Sequence, residues 1–150
     1  MDAEGPGWTE STSKPRVLVE HEDGAVRSVA EKILREAGYD VAVCGGPTTF
    51  RRARCPVVTT GRCALAEGSD VIVHALNPDR PLNASVLQAL KDRYPETPVV
   101  VEIPEPALRV HADLLAGCHA LRFPMTRRSL LAAVDAAMRD PGPLGIEGSR

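Results

Sequence analysis

Two histidines and three cysteines are the side chains in this sequence best suited to chemistry. Cys44 and His74 each directly follow an apolar run, and His21 lies two residues after one. Cys55 and Cys63 lie in the segment after Cys44. Imidazole nitrogen and thiolate sulfur are ligands that Zn²⁺ prefers. The spacing Cys-x10-Cys-x7-Cys contains no Cys-x-x-Cys pair. It therefore also suits the alternative that the histidines are polar fillers and the cysteines small buried hydrophobic groups.

The same cysteines support a redox hypothesis. Arginines surround Cys55 and Cys63, and nearby positive charge favours the thiolate that forms a disulfide or senses oxidation. The alternative is a solvated basic loop with incidental thiols. The arginines concerned are Arg51, Arg52, Arg54 and Arg62.

Short apolar runs alternate with helical patterns and define the elements that must position these side chains. Strands are predicted at residues 17–19, 41–43, 71–73 and 99–101, with a weaker one at 119–122. Near-continuous apolar strands are typical of a parallel sheet that is covered on both faces. Right-handed crossovers then predict a doubly wound sheet, with any ligand site at the carboxyl ends of the strands.

Capping residues place most of the helix boundaries. Asp23 is expected to cap the first helix, and Gly38 to end it. Asn83 is expected to cap the third helix and Thr126 the last one.

The helix between the fourth and fifth strands is predicted from its leucines. It carries Leu108, Leu114 and Leu115, and it is expected to end at Gly117.

The interval between residues 45 and 70 does not suit the second helix that the alternation requires. Pro47, Pro56 and Gly61 oppose a long helix there. We predict one helical turn at residues 50–53, another at residues 64–67, and an ordered loop between them.

Composition and length bound the organisation of the chain. Its 150 residues suit one domain. We predict a disordered lead at residues 1–14, a folded domain at 15–140 and a flexible tail at 141–150.

A net charge of −2 and 3% aromatic residues argue against a nucleic-acid partner. No apolar run is long enough for a membrane, and the N-terminus lacks a signal-peptide pattern, which predicts a cytoplasmic protein. The abundance of Ala, Arg and Pro is typical of a GC-rich bacterial genome.

Four segments together resemble the receiver domain of two-component response regulators, the CheY-like family. They are PRVLVEHEDGAVRSV at residues 15–29, DVIVHALNP at 70–78, TPVVV at 97–101 and AGCHALRFP at 116–124. The resemblance implies a flavodoxin-like α/β fold with five parallel strands in the order 2-1-3-4-5. The second helix would be shortened or replaced by a loop.

The resemblance also implies which positions form the family's phosphorylation pocket. The pair of acidic residues that holds Mg²⁺ falls on His21 and Glu22, and the phosphoacceptor Asp falls on His74, four residues before a proline. The Thr or Ser that ends the fourth strand falls on Ile103, and the Lys before the last proline falls on Phe123.

These substitutions remove the parts that aspartyl phosphorylation needs. Phosphoryl transfer uses an oxygen nucleophile, a hard metal ion and a cation on the phosphoryl oxygens, and imidazole suits Mg²⁺ poorly. We therefore expect a pseudo-receiver without a cofactor, apart from the zinc hypothesis based on Cys44, Cys55, Cys63, His21 and His74. No GxGxxG or Walker-type sequence and no nucleophile–base pair is present, so we do not expect an enzyme.

A partner surface is expected on the fourth helix, fifth strand and fifth helix, which the resemblance implies as a docking and dimerisation face. Here this face would be basic and would suit an acidic protein partner or a second copy of the chain, the alternative being a solvated helical face. Its basic residues are Arg109, Arg122, Arg127 and Arg128. The function expected from the sequence is that of a stand-alone, atypical receiver that regulates through protein contacts, the alternative being a metal or redox sensor.

Overall fold

A five-stranded parallel sheet forms the centre of the molecule, with the strand order β2-β1-β3-β4-β5. The computed structural model describes residue 8, residues 13–47 and residues 55–139. The strands are β1 (Arg16–His21), β2 (Asp40–Cys44), β3 (Val71–Ala75), β4 (Val99–Ile103) and β5 (His119–Arg122). The predicted fold class and strand order are confirmed.

Seven helices accompany the sheet in the described residues. They are α1 (Gly24–Glu36), α2 (Pro56–Thr59), α3 (Ala64–Glu67), α4 (Pro81–Arg93), α5 (Glu105–Val110), α6 (Ala112–Leu115) and α7 (Arg127–Arg139). None of them is both long enough and apolar enough to cross a membrane.

The strands bury side chains on both faces, as their apolar sequences predict. Val17 and Val19 pack with α1 and α7, while Leu18, between them, packs with α4 and the short helices of the opposite face. Because successive strand residues point to opposite faces, position 20 of β1 lies on the face of Leu18, and position 21 lies on the face of Val19. This alternation divides the polar residues at the carboxyl edge into two groups.

The predicted helix boundaries are confirmed at three of four positions. The Asp23 carboxylate accepts hydrogen bonds from the backbone N–H groups of Ala25 and Val26. Gly38, with φ of +102°, follows the end of α1, and the Thr126 hydroxyl accepts from the Ser129 N–H.

The prediction for Asn83 is wrong. Proline is favoured in the first helical turn, and Pro81 starts α4 two residues earlier, so Asn83 is buried inside the helix.

Two single-turn helices fill the interval where a longer second helix was in doubt. The turn predicted at residues 64–67 is confirmed as α3, and the turn predicted at 50–53 lies outside the described residues. The loop predicted between them is corrected, because Pro56 starts a further turn, α2. The Tyr94 hydroxyl holds α3 by accepting from the Cys63 N–H and donating to Glu67.

The helix predicted to run to Gly117 is broken, which corrects that expectation. α5 ends at Val110, and α6 starts at Ala112. His111, between them, has φ of −108° and ψ of 28°, outside the helical region. Its imidazole Nε2 lies 2.8 Å from Asp79 Oδ1, so the break is tied to the segment that follows β3.

Candidate functional site

A buried carboxylate–imidazole pair lies at the carboxyl edge of the sheet. Glu20 Oε1 and His74 Nδ1 are 2.6 Å apart, and only 1% of the His74 surface is exposed. This separation is that of a hydrogen bond between the two side chains. His74 Nε2 is buried as well and has no hydrogen-bond partner among the described residues. The residue on which the resemblance to receivers places the phosphoacceptor is therefore buried and hydrogen-bonded to another side chain of the same chain.

The strand register sets Cys44 beside this pair. Glu20 is the direct neighbour of Cys44 on one side and of His74 on the other. Burial, together with the charge of Glu20, raises the pKa of the Cys44 thiol to about 11. Cys44 is therefore a neutral, half-buried thiol, and its sulfur accepts a hydrogen bond from the Gly46 N–H at 3.4 Å.

Cys55 and Cys63, the other two cysteines of the predicted site, resemble Cys44 in the direction in which their pKa values are shifted. Burial raises the pKa of the Cys55 thiol and of the Cys63 thiol, and the negative charge of Glu20 acts in the same direction. Of the arginines expected to activate them, Arg51, Arg52 and Arg54 lie outside the described residues. Arg62 contacts Glu67 at 2.7 Å.

The metal candidates do not form a ligand set in the described part of the chain. No group of three His, Cys, Asp or Glu side chains there is arranged to hold a metal ion. All four cysteines are free thiols. His21 and His74 are also separated, because they point to opposite faces of the sheet.

A second pair of polar residues lies on the face of α1 and α7. His21 Nε2 is 3.6 Å from Glu102 Oε1, and the other oxygen of Glu102 accepts a hydrogen bond from the Met125 N–H at 2.8 Å. His21 Nδ1 accepts from the Asp23 N–H at 3.0 Å. Both ring nitrogens of His21 are therefore directed at groups of the same chain.

An open pocket of about 290 Å³ is lined by the His21–Glu102 pair but not by Glu20 or His74. His21, Glu22 and Phe123, three of the five positions implied by the resemblance, line it together with Glu102 and Asp79. Of the other two positions, His74 points into the interior, and Ile103 is a buried member of the core. Phe123 is 53% exposed and offers an apolar ring at the lip.

The carboxylates of this pocket are paired with groups of the same chain. Glu22 accepts from the Asn83 side-chain amide at 2.9 Å and lies 3.9 Å from the Arg80 guanidinium. Asp79 contacts His111, as described above. The carboxylates of the pocket thus already have partners in the same chain, and a metal cation has to compete with those partners.

The predicted basic surface is divided by its own ion pairs. Arg122 lies 3.7 Å from Glu105, and Arg127 lies 3.5 Å from Glu36 of α1. Arg109 and Arg128 are exposed on α5 and α7. The four arginines therefore do not form one uniform basic patch.

Sequence reasoning missed Glu20 and Glu102, which complete the polar pairs, and it assigned Asn83 to a helix cap instead of to its contact with Glu22. A signal for the two glutamates was present, because each follows three apolar residues in a strand expected to be buried on both faces. A buried carboxylate requires a partner, and a histidine at the end of a neighbouring strand is a suitable one.

Comparison with solved structures identifies the fold. The chemotaxis protein CheY4 of Vibrio cholerae matches with 20% identity and a TM-score of 0.60, over 83% of this chain and 98% of that one. A response regulator receiver domain protein of Clostridium thermocellum matches with 18% identity and a TM-score of 0.65, over 83% and 94%. The chain has the receiver fold. A receiver protein of Sinorhizobium medicae gives a similar result, with 17% identity, a TM-score of 0.64 and coverage of 86% and 98%.

Sequence comparison gives no corresponding match. No protein-family model matches the chain, and no curated protein matches it significantly. Its likeness to receivers is therefore one of backbone architecture.

Proposed function

We propose that this protein is a receiver-fold signalling module that acts through protein contacts and is not switched by aspartyl phosphorylation. The observation that carries the proposal is the Glu20–His74 pair. The side chain at the acceptor position is an imidazole instead of a carboxylate, is 1% exposed, and is bonded to Glu20 at 2.6 Å. A phosphoryl donor has neither an oxygen nucleophile nor access at this position.

The residues around the pocket also do not fit Mg²⁺. Mg²⁺ requires oxygen ligands in near-octahedral geometry. His21 replaces one expected carboxylate, and Glu22 is held by the Asn83 amide. This misfit is independent support for the proposal, because it concerns the metal rather than the nucleophile.

Magnesium titration tests this part of the proposal. Two-dimensional ¹H–¹⁵N spectra of the protein in millimolar Mg²⁺ should match spectra recorded in KCl of equal ionic strength. Saturable shifts confined to His21, Glu22 and Glu102 would show a metal site and would overturn the proposal.

The contact surface that we propose combines α5, α6 and β5 at the edge of the sheet. Val110 is 75% exposed, and Leu108 and Phe123 are also exposed apolar side chains. We take these three side chains, on α5 and directly after β5, as the apolar part of the surface, because exposed apolar patches are typical of interaction sites. We propose that this surface binds an acidic protein or a second copy of the chain, with Arg109 and Arg122 at its rim.

The alternative, a metal or redox sensor, has less support. A redox-sensing cysteine needs a lowered thiol pKa, whereas burial raises the pKa of Cys44, Cys55 and Cys63. One feature favours metal binding: Glu20 holds His74 through Nδ1, which is how carboxylates orient metal-binding histidines. Metal analysis of protein purified without an affinity tag distinguishes a metal sensor from the proposed contact module. We expect less than stoichiometric zinc.

A further inference from the structure

Trp8 packs against the short helix that replaces part of the usual second helix. Its indole N–H donates a hydrogen bond of 2.9 Å to the carbonyl of Leu65 in α3. The Arg16 guanidinium lies 4.9 Å from the centre of the ring, a favourable cation–π distance. The ring also packs on the core cluster that contains Leu65 and Leu18.

Gly68 makes room for this ring. A Cβ at this position would lie 2.8 Å from Trp8 Nε1, and it would overlap Cδ1 as well. The backbone of Gly68 has φ of −91° and ψ of 1°, a conformation that is not restricted to glycine. The indole of Trp8, and not the backbone conformation, is therefore the reason that position 68 needs a glycine.

The Trp8 contacts act on the same short segment that carries Cys63. Cys63 is the N-cap residue of α3, Leu65 lies within the helix, and Gly68 ends it. On the other side, the Tyr94 hydroxyl holds the Cys63 N–H at 2.9 Å. A helix of one turn has little stability of its own, so α3 depends on tertiary contacts. These include the two anchors and the burial of Leu65 and Ala66 in the core.

We propose that Trp8 is a clasp that holds α3 against the core cluster on which Cys55 and Cys63 also pack, and that its release makes the Cys63 thiol more accessible. The clasp consists of the Leu65 carbonyl, Gly68 and Arg16 around the indole of the same chain. It provides a way to regulate the protein through its N-terminal segment. This inference does not depend on whether the pocket accepts a phosphoryl group.

Fluorescence of the full chain tests the first half of the proposal, because Trp8 is the only tryptophan. Wild-type emission should be blue-shifted relative to free tryptophan in water and protected from iodide quenching. Gly68→Ala should move the emission to longer wavelength and restore quenching. Gly24→Ala is the matched control, because a Cβ there meets only Arg27, at 3.5 Å.

Pulsed alkylation read by peptide mass spectrometry tests the second half. Gly68→Ala and Trp8→Ala should each raise the labelling rate of Cys63 by about tenfold, the factor that corresponds to about 1.4 kcal/mol. The rate at Cys118, which lies beyond β4 next to β5, should not change and serves as the internal control. The double variant should be no faster than Trp8→Ala, because the two substitutions remove the same interaction.

Three outcomes would overturn the clasp. The first is unchanged emission in Gly68→Ala. The second is a changed emission with wild-type labelling of Cys63, which would separate Trp8 from the thiols. The third is an equal rise at Cys63 and Cys118, which would indicate general loosening of the fold.

Discussion

Glu20 and His74 lie side by side on neighbouring strands, with Oε1 and Nδ1 separated by 2.6 Å inside the sheet. His74 stands where the resemblance to receivers places the phosphoacceptor. Burying one member of such a pair alone is costly, because a charge or a polar group then lacks its partner. The two residues are therefore interdependent, and their interdependence can be measured.

Removal of Glu20 should destabilise the fold strongly. Glu20→Ala leaves His74 buried without its bond, and we expect a loss of about 3 to 5 kcal/mol in the free energy of unfolding. Urea denaturation followed by circular dichroism measures it. The double variant Glu20→Leu/His74→Leu should recover most of that loss, because an apolar pair of similar size replaces a buried polar one.

An exposed ion pair provides the control for this measurement. Glu31 contacts Arg35 at 3.0 Å on the surface of α1, and Glu31→Ala should cost less than about 1 kcal/mol. Equal losses for Glu20→Ala and Glu31→Ala would contradict the structural role given to the buried pair.

The sheet could be predicted from the sequence because its strands are short, apolar and separated by helical patterns. The order of the strands came from the resemblance to receivers. The helix boundaries were less predictable where proline competes with other signals: Pro81 displaced Asn83 as the start of α4, and Pro56 started a turn where a loop was expected. Proline can both end a helix and begin one, and the sequence alone does not distinguish the two uses.

The site could be predicted only in part. His21, Glu22 and Phe123 lie together at the pocket, as their positions at strand ends suggest. His74 pairs with Glu20 and not with His21, because His74 and Glu20 lie on one face of the sheet and His21 lies on the other. The sequence does not fix these faces, since a shift of one residue in a strand reverses them. The place of Trp8 depends on a contact with residues 65 and 68, which lie far from it in sequence.

Acid should weaken the α3 segment through Glu67. Hydrogen bonds from Arg62 and Tyr94 lower the pKa of Glu67 from 4.5 to about 2. A carboxylate with a lowered pKa in the folded state contributes stability above its unfolded value, and this contribution is lost as the pH falls. We expect wild-type stability to decline between pH 4.5 and pH 2.

Variants at Glu67 and Arg62 measure how much of this loss of stability at low pH comes from their contact. Glu67→Gln should show a shallower fall in unfolding free energy over that pH range, and Arg62→Gln should reproduce much of the effect. Urea titrations at several pH values provide the measurement. A slope in Glu67→Gln identical to that of wild type would refute the assignment.

Val110 should matter for association more than for stability. It is 75% exposed, so Val110→Asp should change the unfolding free energy by less than about 0.5 kcal/mol. In sedimentation equilibrium, we expect wild-type self-association to weaken by at least about tenfold in this variant, as a central interface residue requires. Val29→Asp changes an exposed valine on α1 and should leave association intact. A dimer unaffected by Val110→Asp would argue against this surface, whereas a monomeric wild type would argue against a second copy and leave the acidic protein as the proposed partner.

Intact mass after treatment with acetyl phosphate and Mg²⁺ tests the central claim most directly. A receiver that accepts phosphoryl groups, treated in parallel, confirms that the reagent is active. We expect this protein to keep its unmodified mass, because His74 is buried with Glu20 and no carboxylate stands where the resemblance places the phosphoacceptor. A stable adduct heavier by about 80 Da, one phosphoryl group, would contradict it.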